Sequence, residues 1–308
     1  MRYTVECVPN FSEGRDAAKI QALLEAVLEG GEVACLDVTM DPDHNRSVIT
    51  LAGTPKGAGA AALRAIQRAS EIIDLNHHQG AHPRIGAADV VPFVPLAGST
   101  LKECVAVAEW VAEQAWVRYG VPAYLYEAAA RRPDRRNLEW LRKGSFERLR
   151  EEVKADAERR PDFGDAALHP TAGATVVGAR KFLVAYNINL ATADAAVAKA
   201  IARKVRASAG GLPAVKAIGL YLPSRDQAQV SLNLADFELT TPAAAFQAVE
   251  REAGALGASI EDTEFVGLVP RAALEDAPLA RMRIRNFSPS VILENRLARV
   301  THRRGKAS

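Results

Sequence analysis

The run His77-His78-Gln79-Gly80-Ala81-His82-Pro83-Arg84-Ile85-Gly86 places three of the chain's six histidines, a guanidinium and two glycines within ten residues. Imidazole takes and gives a proton near neutral pH, with an ordinary pKa of about 6.5. Gly80 and Gly86 open backbone turns closed to other residues, and Pro83 fixes the chain just after His82. The segment therefore reads as a rigid loop that presents His82 beside Arg84. A helical zinc motif from His78 and His82 fails, because Gly80 lies between them and Pro83 would break the next turn. The plainer alternative is a surface turn whose histidines satisfy backbone carbonyls.

Two further polar groups fall where strands end. Asn10-Phe11-Ser12-Glu13-Gly14 follows the first strand and opens a helix, with Asn10 or Ser12 placed to cap it. Asp37 ends the second strand, and Asp41-Pro42-Asp43-His44-Asn45-Arg46 makes the turn before the third. Capping and turn chemistry explain each of these separately. Together with the histidine loop they form a constellation of the kind that gathers at strand ends in open α/β sheets.

The elements that must position these groups repeat. Residues 2–9 alternate like a strand, 15–29 carry apolar side chains at helical spacing, and 33–38 and 46–52 are strands. An Ala-rich helix over about 55–73 and a strand at 90–94 follow. The order is β-α-β-β-α-β, and it recurs as a strand at 182–190, a helix at 192–207, strands at 215–222 and 227–234, a helix at 243–256 and a strand at 264–269. The expected fold class is α/β (α+β), with two ferredoxin-like subdomains whose sheets face a substrate groove. The first subdomain, 1–180, gains a helix at 99–118, a strand at 122–126 and a charged bridging helix over 136–158, whose Arg and Glu residues read as a solvated face. The second covers 181–295, and 296–308 reads as a basic tail without fixed structure.

Composition narrows the function. At 308 residues two domains are the default, and a net charge of +2 is too small for a nucleic-acid footprint. The three cysteines stand far apart among apolar neighbours, as reduced core residues of a cytoplasmic protein do. No signal peptide or membrane span is expected.

Long motifs then carry a resemblance. Val5-Glu6-Cys7-Val8-Pro9-Asn10-Phe11-Ser12-Glu13-Gly14, His78-Gln79-Gly80-Ala81-His82-Pro83-Arg84-Ile85-Gly86-Ala87, Pro122-Ala123-Tyr124-Leu125-Tyr126, Gly178-Ala179-Arg180-Lys181-Phe182-Leu183 and Ala185-Tyr186-Asn187-Ile188-Asn189-Leu190 resemble the glutamate formiminotransferase family. The likeness runs from about residue 3 to 270 and resumes at Phe287-Ser288-Pro289. It implies transfer of the formimino group from N-formimino-L-glutamate to the co-substrate tetrahydrofolate in histidine degradation. His82 falls on the family's catalytic histidine. The family's folate stretch begins after Pro161-Asp162-Phe163 and maps onto Gly164, Asp165, Ala166, Ala167, Leu168, His169, Pro170, Thr171, Ala172 and Gly173. Ala172 stands where family members carry a Trp, which removes a ring for stacking on folate. The resemblance also implies a homodimer and, since the chain ends at Ser308, a separate cyclodeaminase to take the product.

For this chemistry His82 serves as general base and then acid, and Asp37 as the carboxylate that orients it or steadies the cationic formimino group. Asn10 and Asn45 are expected at the substrate. Arg46, Arg84, Arg180 and Lys181 are the candidates for substrate carboxylates, with an internal acid as the alternative partner of each. No metal is expected. Two other readings stay open: a formyl rather than formimino folate enzyme, and a metal-dependent formiminoglutamate hydrolase using His77, His78 and His82 with Asp37 or Asp89.

Overall fold

A computed structural model describes residues 3–275, 277–285 and 287–305. The fold is mixed α/β, and the chain divides into two compact units between Arg180 and Lys181.

In the first unit the strands are β1 (Val5–Cys7), β2 (Asn10–Phe11), β3 (Val33–Asp41), β4 (Arg46–Gly53), β5 (Ala88–Pro95), β6 (Ala123–Glu127) and β7 (Thr175–Ala179). The helices are α1 (Ala17–Leu28), α2 (Pro55–Ile72), α3 (Leu101–Tyr119), α4 (Leu138–Leu141) and α5 (Ser145–Ala155). β1 and β2 lie in one line, interrupted at Val8-Pro9, and each pairs antiparallel with β4 on one side and β5 on the other. β3 pairs with β4, while β7 and then β6 extend the sheet beyond β5 in parallel.

Alternation along the strands sorts the two faces. Val5, Cys7, Leu51 and Phe93 pack with the buried sides of α1, α2 and α3. On the opposite face Val90, Tyr124, Tyr126 and Val176 pack with Leu141 of α4 and Leu149 of α5. The charged bridge expected over 136–158 is thus two helices, parted at Gly144, whose φ of 82° is the left-handed conformation that glycine adopts freely. β7 is absent from the sequence reading; its five residues are all buried, so no polar alternation marks it.

Glu6 points from β1 to the face away from α1–α3 and is only 2 % exposed. Burial pushes its carboxyl up to about 7, against the opposing pull of the Arg180 guanidinium. The folded chain therefore holds a proton that the unfolded chain releases near pH 4.5. Stability is fully present below that value, falls as the pH rises to about 7, and is flat above. Glu6→Gln is expected to leave urea stability unchanged at pH 4 and to raise it at pH 8, by up to about 3 kcal/mol. The same gain at both pH values would contradict this.

The second unit is built from β8 (Val184–Leu190), α6 (Ala195–Val205), β9 (Val215–Leu222), β10 (Gln227–Leu234), α7 (Pro242–Ala255), β11 (Ile260–Val266) and α8 (Leu293–Gly305). Its sheet is antiparallel, in the order β11-β8-β10-β9. Ile201, Val205, Phe246 and Val249 of α6 and α7 close its core. The stretch from 296, expected as a tail without fixed structure, is helical as far as Gly305. Its helix starts at Leu293, which is buried and donates its amide to the Val269 carbonyl at 2.9 Å. Residues 306–308 of that tail lie outside the described residues.

Candidate active site

At one end of the first sheet, β2, the β3–β4 turn, the histidine loop and the start of β5 converge. Phe11, Ser12, His44, Asn45, Arg46, His78, His82, Arg84 and Asp89 line one cavity there. The turn is held by its own chemistry. Asn45 adopts φ 48°, which Asn tolerates better than most residues. Its Oδ1 accepts the Gly14 amide at 2.9 Å, and its Nδ2 donates to the Gln79 carbonyl at 2.9 Å. One side chain thus ties the turn to the opening of α1 and to the histidine loop. Gly14 and Gly80 press in from either side: a Cβ on either would sit 2.3 Å from the carbonyl oxygen of Asp41 or His44 respectively. Close backbone approach, rather than flexibility, is what these two glycines supply.

His82 is half-buried on this frame. Its Nδ1 lies 2.8 Å from the Pro83 carbonyl, an acceptor only, so Nδ1 carries the hydrogen and Nε2 the lone pair. Arg46 Nη1 lies 2.8 Å from Nδ1 and 2.7 Å from Nε2, and with the hydrogen on Nδ1 only Nε2 can accept from it. Loss of solvent, followed by the charges of Arg46 and Arg142, holds the imidazole well below its ordinary pKa. His82 is therefore a neutral base at physiological pH.

Arg46 also donates from Nε to Asn10 Oδ1 at 3.1 Å, and from Nη2 to the same atom. Asn10 in turn is fixed by the Val8 carbonyl at 2.7 Å. Burial, and then Arg142, pull Arg46 down to about 9, which still leaves it a cation at neutral pH. The other charges of the cluster are matched. Arg84 grips Glu147 through two bonds of 2.7 and 2.6 Å, Arg142 bonds Asp89, and His44 Nδ1 lies 3.0 Å from Asp41 Oδ2. No ion pair engages Arg46 among the described residues; its direct partners are Asn10 and His82.

The expected site residues separate on this geometry. Asn10, Asn45, Arg46, His82 and Arg84 come together. Arg84 is committed to Glu147 and to His78, whose Nδ1 accepts from its Nε at 3.0 Å, so it is a strut for the loop. Asp37, expected to orient His82, lies within β3 opposite Thr50 and outside the cavity. It precedes Asp41 by four residues, roughly 13 Å of extended strand. The carboxylates at this end are Asp89, which lines the cavity, and Asp41 behind His44.

Gly164–Gly173 closes against the histidine loop. The Ala87 amide donates to the Ala172 carbonyl, and the Ala174 amide to the Ile85 carbonyl, both at 2.9 Å. Asp165, Ala167 and Pro170 are exposed, with Ala166, Leu168, His169 and Thr171 half-buried between them. His169 Nδ1 accepts the Ala172 amide at 3.0 Å. Ala172 is 2 % exposed and belongs to the core, so its position turns away from any ring lying on the loop. Arg180 stays beside Glu6 and Tyr126, outside the cavity lining. Lys181 opens the second unit, held by Asp236 at 2.6 Å and Glu238 at 3.6 Å.

Sequence reasoning missed Arg142 and Glu147, which shared the charge pattern of a solvated helix. It also left His44 as turn chemistry. Among the described residues no three or more His, Cys, Asp or Glu side chains are placed so that they could hold a metal ion. His77, 87 % exposed at its side chain, turns to Asp74, and His78 Nε2 meets the Asn45 carbonyl, so the hydrolase ligand set does not converge.

A neutral imidazole and an unpaired guanidinium in one cavity define a class: an enzyme that moves protons on an anionic substrate. Comparison with known proteins specifies it. Residues 4–180 match the formiminotransferase domain, N-terminal subdomain, and residues 185–304 match the formiminotransferase domain. The glutamate formimidoyltransferase of Thermoplasma acidophilum is 41 % identical over 97 % of this chain and 98 % of its own length. That of Streptococcus pyogenes is 43 % identical over 96 % of this chain and 99 % of its own. The pig formimidoyltransferase-cyclodeaminase is 44 % identical over 90 % of this chain, which spans 52 % of that protein. The chain belongs to the formiminotransferase family of one-carbon transferases.

Proposed function

We propose that this enzyme is a glutamate formimidoyltransferase, moving the formimino group of N-formimino-L-glutamate to N5 of tetrahydrofolate and releasing L-glutamate. The observation that carries the reading is the pairing of neutral His82 with Arg46, a cation that no acid neutralises. A substrate carboxylate suits Arg46, because two of its nitrogens can bind bidentately. When it binds there, the bond from Arg46 to His82 Nε2 is released and the lone pair becomes free. His82 then takes the N5 proton as N5 attacks the amidine carbon, and returns a proton as the glutamate nitrogen leaves.

Tetrahydrofolate lies along Gly164–Gly173, which ends beside residues 85–87 and so reaches the neighbourhood of His82. The exposed backbone around Asp165 and Ala167 supports this placement. The four-stranded antiparallel orders β3-β4-β1-β5 and β9-β10-β8-β11 support a ferredoxin-like plan for each unit. In this reading the protein works in the cytoplasm as a homodimer and needs no metal. Cys7, Cys35 and Cys104 form no disulfide among the described residues, which agrees with a reducing compartment. No helix of the described residues is long and apolar enough to cross a membrane.

Chelated protein given formiminoglutamate tests the reading. Glutamate is expected only when tetrahydrofolate is added. Release without folate, restored by a divalent ion, would favour the hydrolase, and turnover with 5-formyl-tetrahydrofolate and glutamate alone would favour the formyl enzyme.

A further inference from the structure

His44 fills a position that the mechanism above does not use. Its Nδ1 is held by Asp41 Oδ2 at 3.0 Å, and its backbone amide is fixed by Asp41 Oδ1 at 2.8 Å. The ring stands edge-on to His82, with centroids 6.1 Å apart and planes at 70°. Its Nε2 is buried and has no hydrogen-bond partner among the described residues, although the residue lines the cavity that holds His82 and Arg46. A carboxylate behind one nitrogen and an unsatisfied nitrogen facing a cavity is the arrangement of an oriented acid-base imidazole.

We propose that His44 is a second catalytic residue, the general acid that protonates the departing glutamate nitrogen. The inference rests on the formimino-transfer reading and divides its proton work between two rings. His82 Nε2 takes the proton from N5 as the N5–carbon bond forms. The carbon–nitrogen bond to glutamate then breaks, its electron pair stays on nitrogen, and that nitrogen receives the Nε2 proton of the His44 imidazolium. His82 has gained one proton and His44 has lost one, so transfer through solvent across the gap between the rings restores both. Nothing is oxidised or reduced. Asp41 stabilises the imidazolium and fixes Nε2 toward the cavity, which makes it a positioning residue. Asp41 and His82 stand against the ring, and Arg46, His78, Arg84 and Asp89 line the same cavity.

The test uses the full chain with formiminoglutamate and tetrahydrofolate. Wild-type activity must first be present; its absence would sink the functional reading, not this division of labour. His44→Gln is expected to lower kcat about 100-fold or more while both KM values change less than threefold, with an unchanged circular-dichroism spectrum. Added imidazole should restore His44→Ala by tenfold or more, and Asp41→Asn should lower kcat about tenfold. A kcat near wild type in His44→Gln would overturn the proposal. So would a loss of kcat in His44→Ala that resists imidazole, since a purely structural histidine behaves that way.

Discussion

His82→Ala is expected to lower kcat by about 10³-fold or more while leaving thermal stability and folate affinity close to wild type. The physical ground is the ring's position: it is half-buried, packs in none of the apolar clusters, and bonds only to a carbonyl and to Arg46. Its removal costs the core little and removes the imidazole lone pair that faces the cation. Single-turnover rates and equilibrium folate binding, measured on the same preparation, check both halves. Near wild-type turnover would mean that another group accepts the N5 proton.

Arg46→Met is the second large effect. Charge-assisted hydrogen bonds to a carboxylate contribute about 1.5–3 kcal/mol, so KM for formiminoglutamate should rise on the order of 10- to 100-fold. The substitution also removes the second-largest cause of the depressed His82 pKa. The imidazole should then protonate closer to its ordinary range. In the wild type His82 stays neutral through pH 6, so kcat/KM holds there. In Arg46→Met an acid limb should appear, with kcat/KM falling as the pH drops. A pH profile at saturating folate decides it, and an unchanged KM with an unchanged profile would place the substrate carboxylate elsewhere.

The repeated order of elements was legible because amphipathic helices and alternating strands announce themselves by period. β7 was not, since both its faces are buried and it reads as an apolar run before the Arg180-Lys181 junction. His82, Asn10 and Arg46 could be named from residue type and from likeness to the family. Asp37 reads from sequence as the end of its strand, but β3 runs on to Asp41, and nothing in the residue types marks where it stops. Arg142 and Glu147 were hidden for a different reason. Arg142, just past α4, and Glu147, in the first turn of α5, stand in the same alternation of Arg and Glu as residues that face solvent. Lys181 looked like a cation awaiting a folate tail, and only the folded chain reveals Asp236 and Glu238 beside it.

The most direct test of formimino transfer by His82 and Arg46 is to follow the carbon itself. N-formimino-L-glutamate labelled with ¹³C at the formimino carbon, mixed with the protein and an equivalent of tetrahydrofolate, is expected to show the label moving to N5 of the folate. One glutamate should appear for each label transferred, and neither change should occur with the His82→Ala protein. Label released as formamide or formate, or left on glutamate, would contradict it.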